Sequence, residues 1–64
     1  MSATKTIYGV IVDSDNEFGF ATQYFTTRAA AVEWARHYTY QGKRAPVREE
    51  RDMPVRLARR LLMK

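Results

Sequence analysis

Apolar and polar residues change their spacing several times along the chain, and each change marks an element. Residues 4–12, TKTIYGVIV, are rich in β-branched and aromatic types and predict a strand. DSDNE, residues 13–17, gathers turn formers whose side chains bond locally to the backbone. FGFATQYF, residues 18–25, predicts a second strand, so the first 25 residues read as a β-hairpin. The spacing then lengthens to that of a helix in TTRAAAVEWARHYTYQGK. Thr26 or Thr27 can cap its start, three alanines and Glu33 favour it, and Gly42 can supply a left-handed end. At 100° per residue, Ala30, Ala31, Trp34, Ala35 and Tyr38 share one arc, and Glu33, Arg36, His37 and Tyr40 share the other. KRAPVREER, residues 43–51, suits an edge strand, because Pro46 cannot donate to a ladder and alternating charges resist stray pairing. Asp52 then reads as the cap of a final helix, with Pro54 in its first turn. The expected fold is α+β, a β-β-α-β-α domain covering residues 1–64. It divides into a disordered start (1–3), a β-β-α-β core (4–51) and a basic amphipathic helix (52–64).

Strand alternation sorts the hairpin into two faces. With DSDNE as the loop, Tyr8, Val10, Val12, Phe18, Phe20 and Tyr24 form a large aromatic face. Ile7, Gly9, Ile11, Gly19, Ala21 and Phe25 form the other. A two-residue turn at Asp15-Asn16 would shift the register by one and mix the sets. The glycines leave a shallow floor into which Trp34 and Tyr38 can sink, so the first helix is expected there. The aromatic face then needs a cover, since exposed apolar patches of that size mark interaction sites. Val55, Leu57, Ala58, Leu61 and Leu62 fall on one arc of the closing helix, and Arg56, Arg59, Arg60 and Lys64 on the opposite one. The expected arrangement is that its apolar side lids the aromatic strands. The alternatives are that it docks elsewhere or that a second copy of the chain fills the space.

Composition narrows the picture. A 64-residue chain buries only about 60% of its unfolded surface. It has no cysteine to add a disulfide or a thiolate zinc site, so packing or a partner must stabilise it. No apolar run approaches the roughly 18 residues of a membrane span, and the first residues lack a signal-peptide pattern. The expected location is the cytoplasm. The net charge of +4 is unevenly placed. Residues 1–42 carry three bases against four acids, whereas residues 43–64 carry eight bases against three acids. The basic character belongs to the last third of the chain, and it bears on encounters with anionic partners rather than on fold.

Catalytic chemistry finds little to work with. His37 is the single histidine and falls on the polar side of its helix. Asp13, Asp15 and Glu17 lack the ligand count and closing glutamate of a calcium loop, and turn formation explains them. Glu49 and Glu50 are neighbours on a strand and point to opposite faces. Phosphate-binding, GxSxG, HExxH and dinucleotide fingerprints are missing. The sequence reads as non-enzymatic, with no catalytic residues, metal or cofactor.

Binding remains. A hairpin, a Thr-capped helix with an internal Glu-Trp (TTRAAAVEWARHY) and a basic strand (APVREER) follow one another over residues 6–50. In this order the chain resembles the small accessory proteins with which bacteriophages redirect host enzymes, such as the short β-β-α-β inhibitors of bacterial RNA polymerase. The resemblance implies a host-directed inhibitor or modulator working in the bacterial cytoplasm. The closing helix lies outside the shared pattern, and no functional residue carries over. From the residues themselves, eight of the eleven bases are arginine, which suits bidentate contact with carboxylates or phosphates. Arg48, Arg51, Arg56, Arg59, Arg60 and Lys64 are the expected contacts to an acidic protein surface, with Tyr8, Phe18, Phe20 and Tyr24 as an aromatic patch. The alternative is nucleic acid, its phosphates met by the same helix (with Lys43 and Arg44 before it) and its bases stacked on the aromatics. A marginal membrane-surface role for the short basic helix and a homodimer complete the possibilities.

Overall fold

The computed structural model describes residues 3–63; Met1, Ser2 and Lys64 lie outside the described residues, as does any expectation resting on them. The fold is α+β. Strand β1 (Thr4–Asp13) is followed by β2 (Phe20–Phe25), helix α1 (Arg28–Ala35) and a two-residue hairpin of β3 (Thr39–Tyr40) and β4 (Lys43–Arg44). Strand β5 (Val47–Pro54) and helix α2 (Val55–Leu62) close the chain. One antiparallel sheet runs in the order β2-β1-β5, with β1 in the middle.

The hairpin forms, but its loop is longer than the polar run alone suggested. Asn16 organises it: its Oδ1 accepts from the Phe18 and Gly19 amides at 3.0 and 2.9 Å, and its Nδ2 donates to the Phe20 carbonyl at 2.8 Å. Gly19 closes the loop at φ 82, a conformation costly for other residues. Phe18 is thereby drawn out of the strand and left 73% exposed. The resulting register pairs Tyr8 with Phe25, Gly9 with Tyr24, Ile11 with Thr22 and Val12 with Ala21. It is displaced by three residues from the expected one, and an odd displacement exchanges the faces of one strand relative to the other.

Each helix consequently meets the face of β1 opposite to the one expected, while on β2 each keeps its expected side, α1 against Phe25 and α2 on the side of Phe20 and Tyr24. Helix α1 packs on the face of Tyr8, Val10, Val12 and Phe25, where Val10, Ala31, Ala35 and Ala45 form a buried cluster edged by Trp34 and Val47. Helix α2 touches all three strands of the sheet from the other side. Ile7 and Ala58 are fully buried there, outside the first cluster. The glycine floor exists, but it receives a ring of its own sheet. A Cβ built on Gly9 would lie 3.0 Å from Tyr24 Cε1 and 3.2 Å from Thr22 Cγ2.

Three further boundaries differ. Helix α1 begins as expected, with the Thr27 hydroxyl accepting from the Ala30 amide at 3.2 Å, but it stops at Ala35. The TYQGKR segment instead turns on Gln41 and Gly42 at φ 54 and 79, the two positive angles of a tight hairpin turn. The Gln41 amide donates to both oxygens of Asp13, pinning this hairpin to the far end of β1. Strand β5 starts at Val47 and runs past Arg51, and Asp52 is not a cap. It sits at φ 56 where β5 carries one residue more than β1 between Lys5 and Ile7, a bulge. Pro54 occupies the cap position of α2 with no side-chain bond, and the Val55 amide donates to the Ala3 carbonyl. The molecule measures 42 × 26 × 16 Å.

Candidate functional site

Helix α2 is two turns long, and its sequence fixes which side faces out. Ala58 is buried at the centre of the inner arc, with Val55, Leu61 and Leu62 half-buried around it. Arg56, Arg59 and Arg60 point outward and are exposed. Among the described residues none of the three forms an ion pair. Arg59 and Arg60 stand in the last turn, where positive charge complements the helix dipole. Leu57, at the margin of the apolar arc, is 43% exposed, and Met63 just beyond the helix is 71% exposed. The exposed surface is therefore arginine interleaved with apolar side chains. Leu57 and Met63 were not expected in it; their signal was position, one at the edge of the arc and one past its end. The start of the helix also borders a shallow recess lined by Ala3, Pro54, Val55 and Arg56.

The other two expected arginine contacts are engaged within the fold. Arg51 Nε donates to Glu49 Oε2 at 2.8 Å, and Arg28 donates to Glu49 Oε1 at 3.2 Å. Arg28 also lies 5.5 Å from the centre of the Tyr8 ring. The Arg51 hydrogen bond, with the positive charges of Arg51 and Arg28 behind it, holds the Glu49 carboxyl below its ordinary range. The same hydrogen bond raises Arg51. Arg48 stands 3.9 Å from Glu50 on the opposite face of β5. Lys64 is outside the described residues.

The four aromatics do not form one patch. Tyr8 lies on the α1 face beneath Arg28, Tyr24 covers Gly9 on the α2 face, and Phe18 is in the loop. Phe20 shares Tyr24's face by alternation, at the opposite end of β2. A different aromatic row does form: Trp34 stacks on Tyr38 with centroids 4.0 Å apart and meets Phe25 at 5.5 Å. Lys43 and Arg44, on the hairpin pinned to Asp13, lie far from the start of α2, which is beside Ala3. The ten-residue β1 separates those ends by about 30 Å. Asp13, Asp15 and Glu17 cluster in sequence at the hairpin's end, so the basic residues do not make one continuous stripe.

Among the described residues no group of three or more His, Cys, Asp or Glu side chains is placed to hold a metal. No helix there is long and apolar enough to cross a membrane. Comparisons with protein-family models, with curated proteins and with solved structures gave no match.

Proposed function

We propose that this chain is a non-enzymatic binding module that docks on an acidic protein surface through the outward side of α2. The observation that carries the reading is the mixed surface of Arg56, Arg59 and Arg60 beside Leu57 and Met63, with the three arginines unpaired among the described residues. Arginine set among apolar side chains suits a protein interface, where guanidinium groups pair with carboxylates around a desolvated centre. A phosphate backbone calls for an extended run of bases, and here Lys43 and Arg44 belong to the hairpin at the Asp13 end of β1, whereas α2 starts at the Ala3 end. The resemblance to phage accessory proteins read from the sequence pattern of residues 6–50 suggests the class of partner, a host enzyme complex that the module inhibits or modulates.

The test is capture from nuclease-treated bacterial lysate by the full chain and by an Arg56→Ala, Arg59→Ala, Arg60→Ala variant with unchanged circular dichroism. The wild type is expected to retain a partner that the variant releases. The loss should amount to roughly 3 kcal/mol or more, about a hundredfold in affinity, for three charge-assisted contacts. Identical recoveries would refute the reading. So would binding to labelled DNA or RNA whose affinity falls steeply and regularly with salt, the signature of phosphate contacts.

A further inference from the structure

We infer that two copies of this chain pair through the outer edge of β2, joining their sheets across a two-fold axis into six antiparallel strands. The backbone says which groups are available. The Ser14 amide donates to the Gly19 carbonyl, and the Ile11 amide points the other way, to Pro46. In an antiparallel ladder bonded and non-bonded pairs alternate. The β1–β2 register therefore makes Val12–Ala21, Val10–Gln23 and Tyr8–Phe25 the bonded pairs. The amides and carbonyls of Phe20, Thr22 and Tyr24 are left facing away from β1, along the outer edge of the sheet. The Phe20 carbonyl accepts from Asn16 at 2.8 Å and retains a second lone pair.

The two edges of the sheet differ in chemistry. Strand β5 carries VREERDMP, with five charged residues, a bulge and a proline, the devices that keep an edge from pairing. Strand β2 carries FATQYF, with no charge, no proline and no bulge in its register. A bare edge of this kind accepts another strand. The strand that fits it best is its own copy. Centred on Thr22, a two-fold axis normal to the sheet sets Thr22 against Thr22 and Phe20 against Tyr24 of the other chain, twice. Those are aromatic and hydroxyl cross-strand pairs, with no like charges opposed. Phe20, 43% exposed in the single chain, gains a ring beside it.

The chain has no cysteine, so single cysteines report on the pairing directly. Thr22→Cys should oxidise to a covalent dimer well before Gln23→Cys, because only position 22 meets itself across the axis, at a Cα separation of about 5.5 Å that a disulfide can span. Sedimentation of the wild type at high micromolar concentration should show a dimer that dissociates on dilution. Thr22→Pro, which deletes an outward amide not used by β1, should be monomeric with unchanged circular dichroism. A wild type that stays monomeric would overturn the inference. Equal cross-linking at positions 22 and 23, or a dimer that survives Thr22→Pro, would do the same. The triple-alanine α2 variant should still dimerise, so this pairing and the docking surface fail or stand separately.

Discussion

Glu49 joins three parts of the chain through one side chain. Its carboxylate takes a hydrogen bond from Arg51 on its own strand and another from Arg28 at the start of α1, and Arg28 in turn lies over Tyr8 of β1. A carboxyl lowered in the folded state stabilises the fold above its ordinary value of 4.5 and loses that contribution as pH falls through the lowered value. Glu49→Gln keeps the size and removes the charge. The melting temperature of the wild type should exceed that of the variant by a constant amount above about pH 5.5, and the gap should close as the pH is taken down towards 2. A gap that is flat over this whole range would mean that the carboxylate charge does not hold the three parts together. The sequence showed both glutamates of VREER alternating across a strand. It could not show which arginine each would meet, because Arg28 is 21 residues away and arrives only through the tertiary fold.

Positive backbone angles decided the elements that pattern alone misread. Gln41-Gly42 resembles a helix end and a tight hairpin turn equally, since both need a left-handed residue before the chain turns. The apolar arc through Tyr38 favoured the helix. The structure takes the hairpin, with Gln41 itself at φ 54. Glutamine pays for that angle, and asparagine tolerates it better. Gln41→Asn should therefore stabilise the fold by about 0.5 kcal/mol, and Gly42→Ala, at φ 79, should destabilise it by about 1 kcal/mol. Urea unfolding of the two variants should move in opposite directions; movement in the same direction would remove the turn as the cause. Apart from the β3–β4 hairpin, the element order was legible in the sequence, as were the Thr27 cap and the outward arginines of α2. The register was not. Asn16 and Gly19 together extend the loop past Phe18, a residue whose hydrophobicity argued for the strand, and that displacement exchanged the faces that β1 shows the two helices.

At the scale of the whole molecule, the core is thin for the chain it supports. The radius of gyration is 12.4 Å, against about 10.7 Å expected for a compact domain of this length. Of the six buried hydrophobic residues among those described, four are alanines, which bring little apolar area each. Stability for a domain of this size ranges over roughly 3–10 kcal/mol, and so small a core puts this chain towards the lower end. Much of it then depends on α2, which packs on the second face of the sheet, where Ile7 lies. Ala58 is the point of attachment, fully buried with no polar group beside it in need of a partner. Ala58→Asp would place an unpaired carboxylate there at a cost of several kcal/mol, comparable with the whole stability. The helix should leave the sheet, exposing Ile7 and the ring of Tyr24. The expected result is a lost cooperative melting transition and enhanced binding of an apolar dye, whereas Arg56→Asp, on the outer side of the first turn of the same helix, should melt close to the wild type. Equal melting of the two variants would mean that the sheet holds together without its second helix.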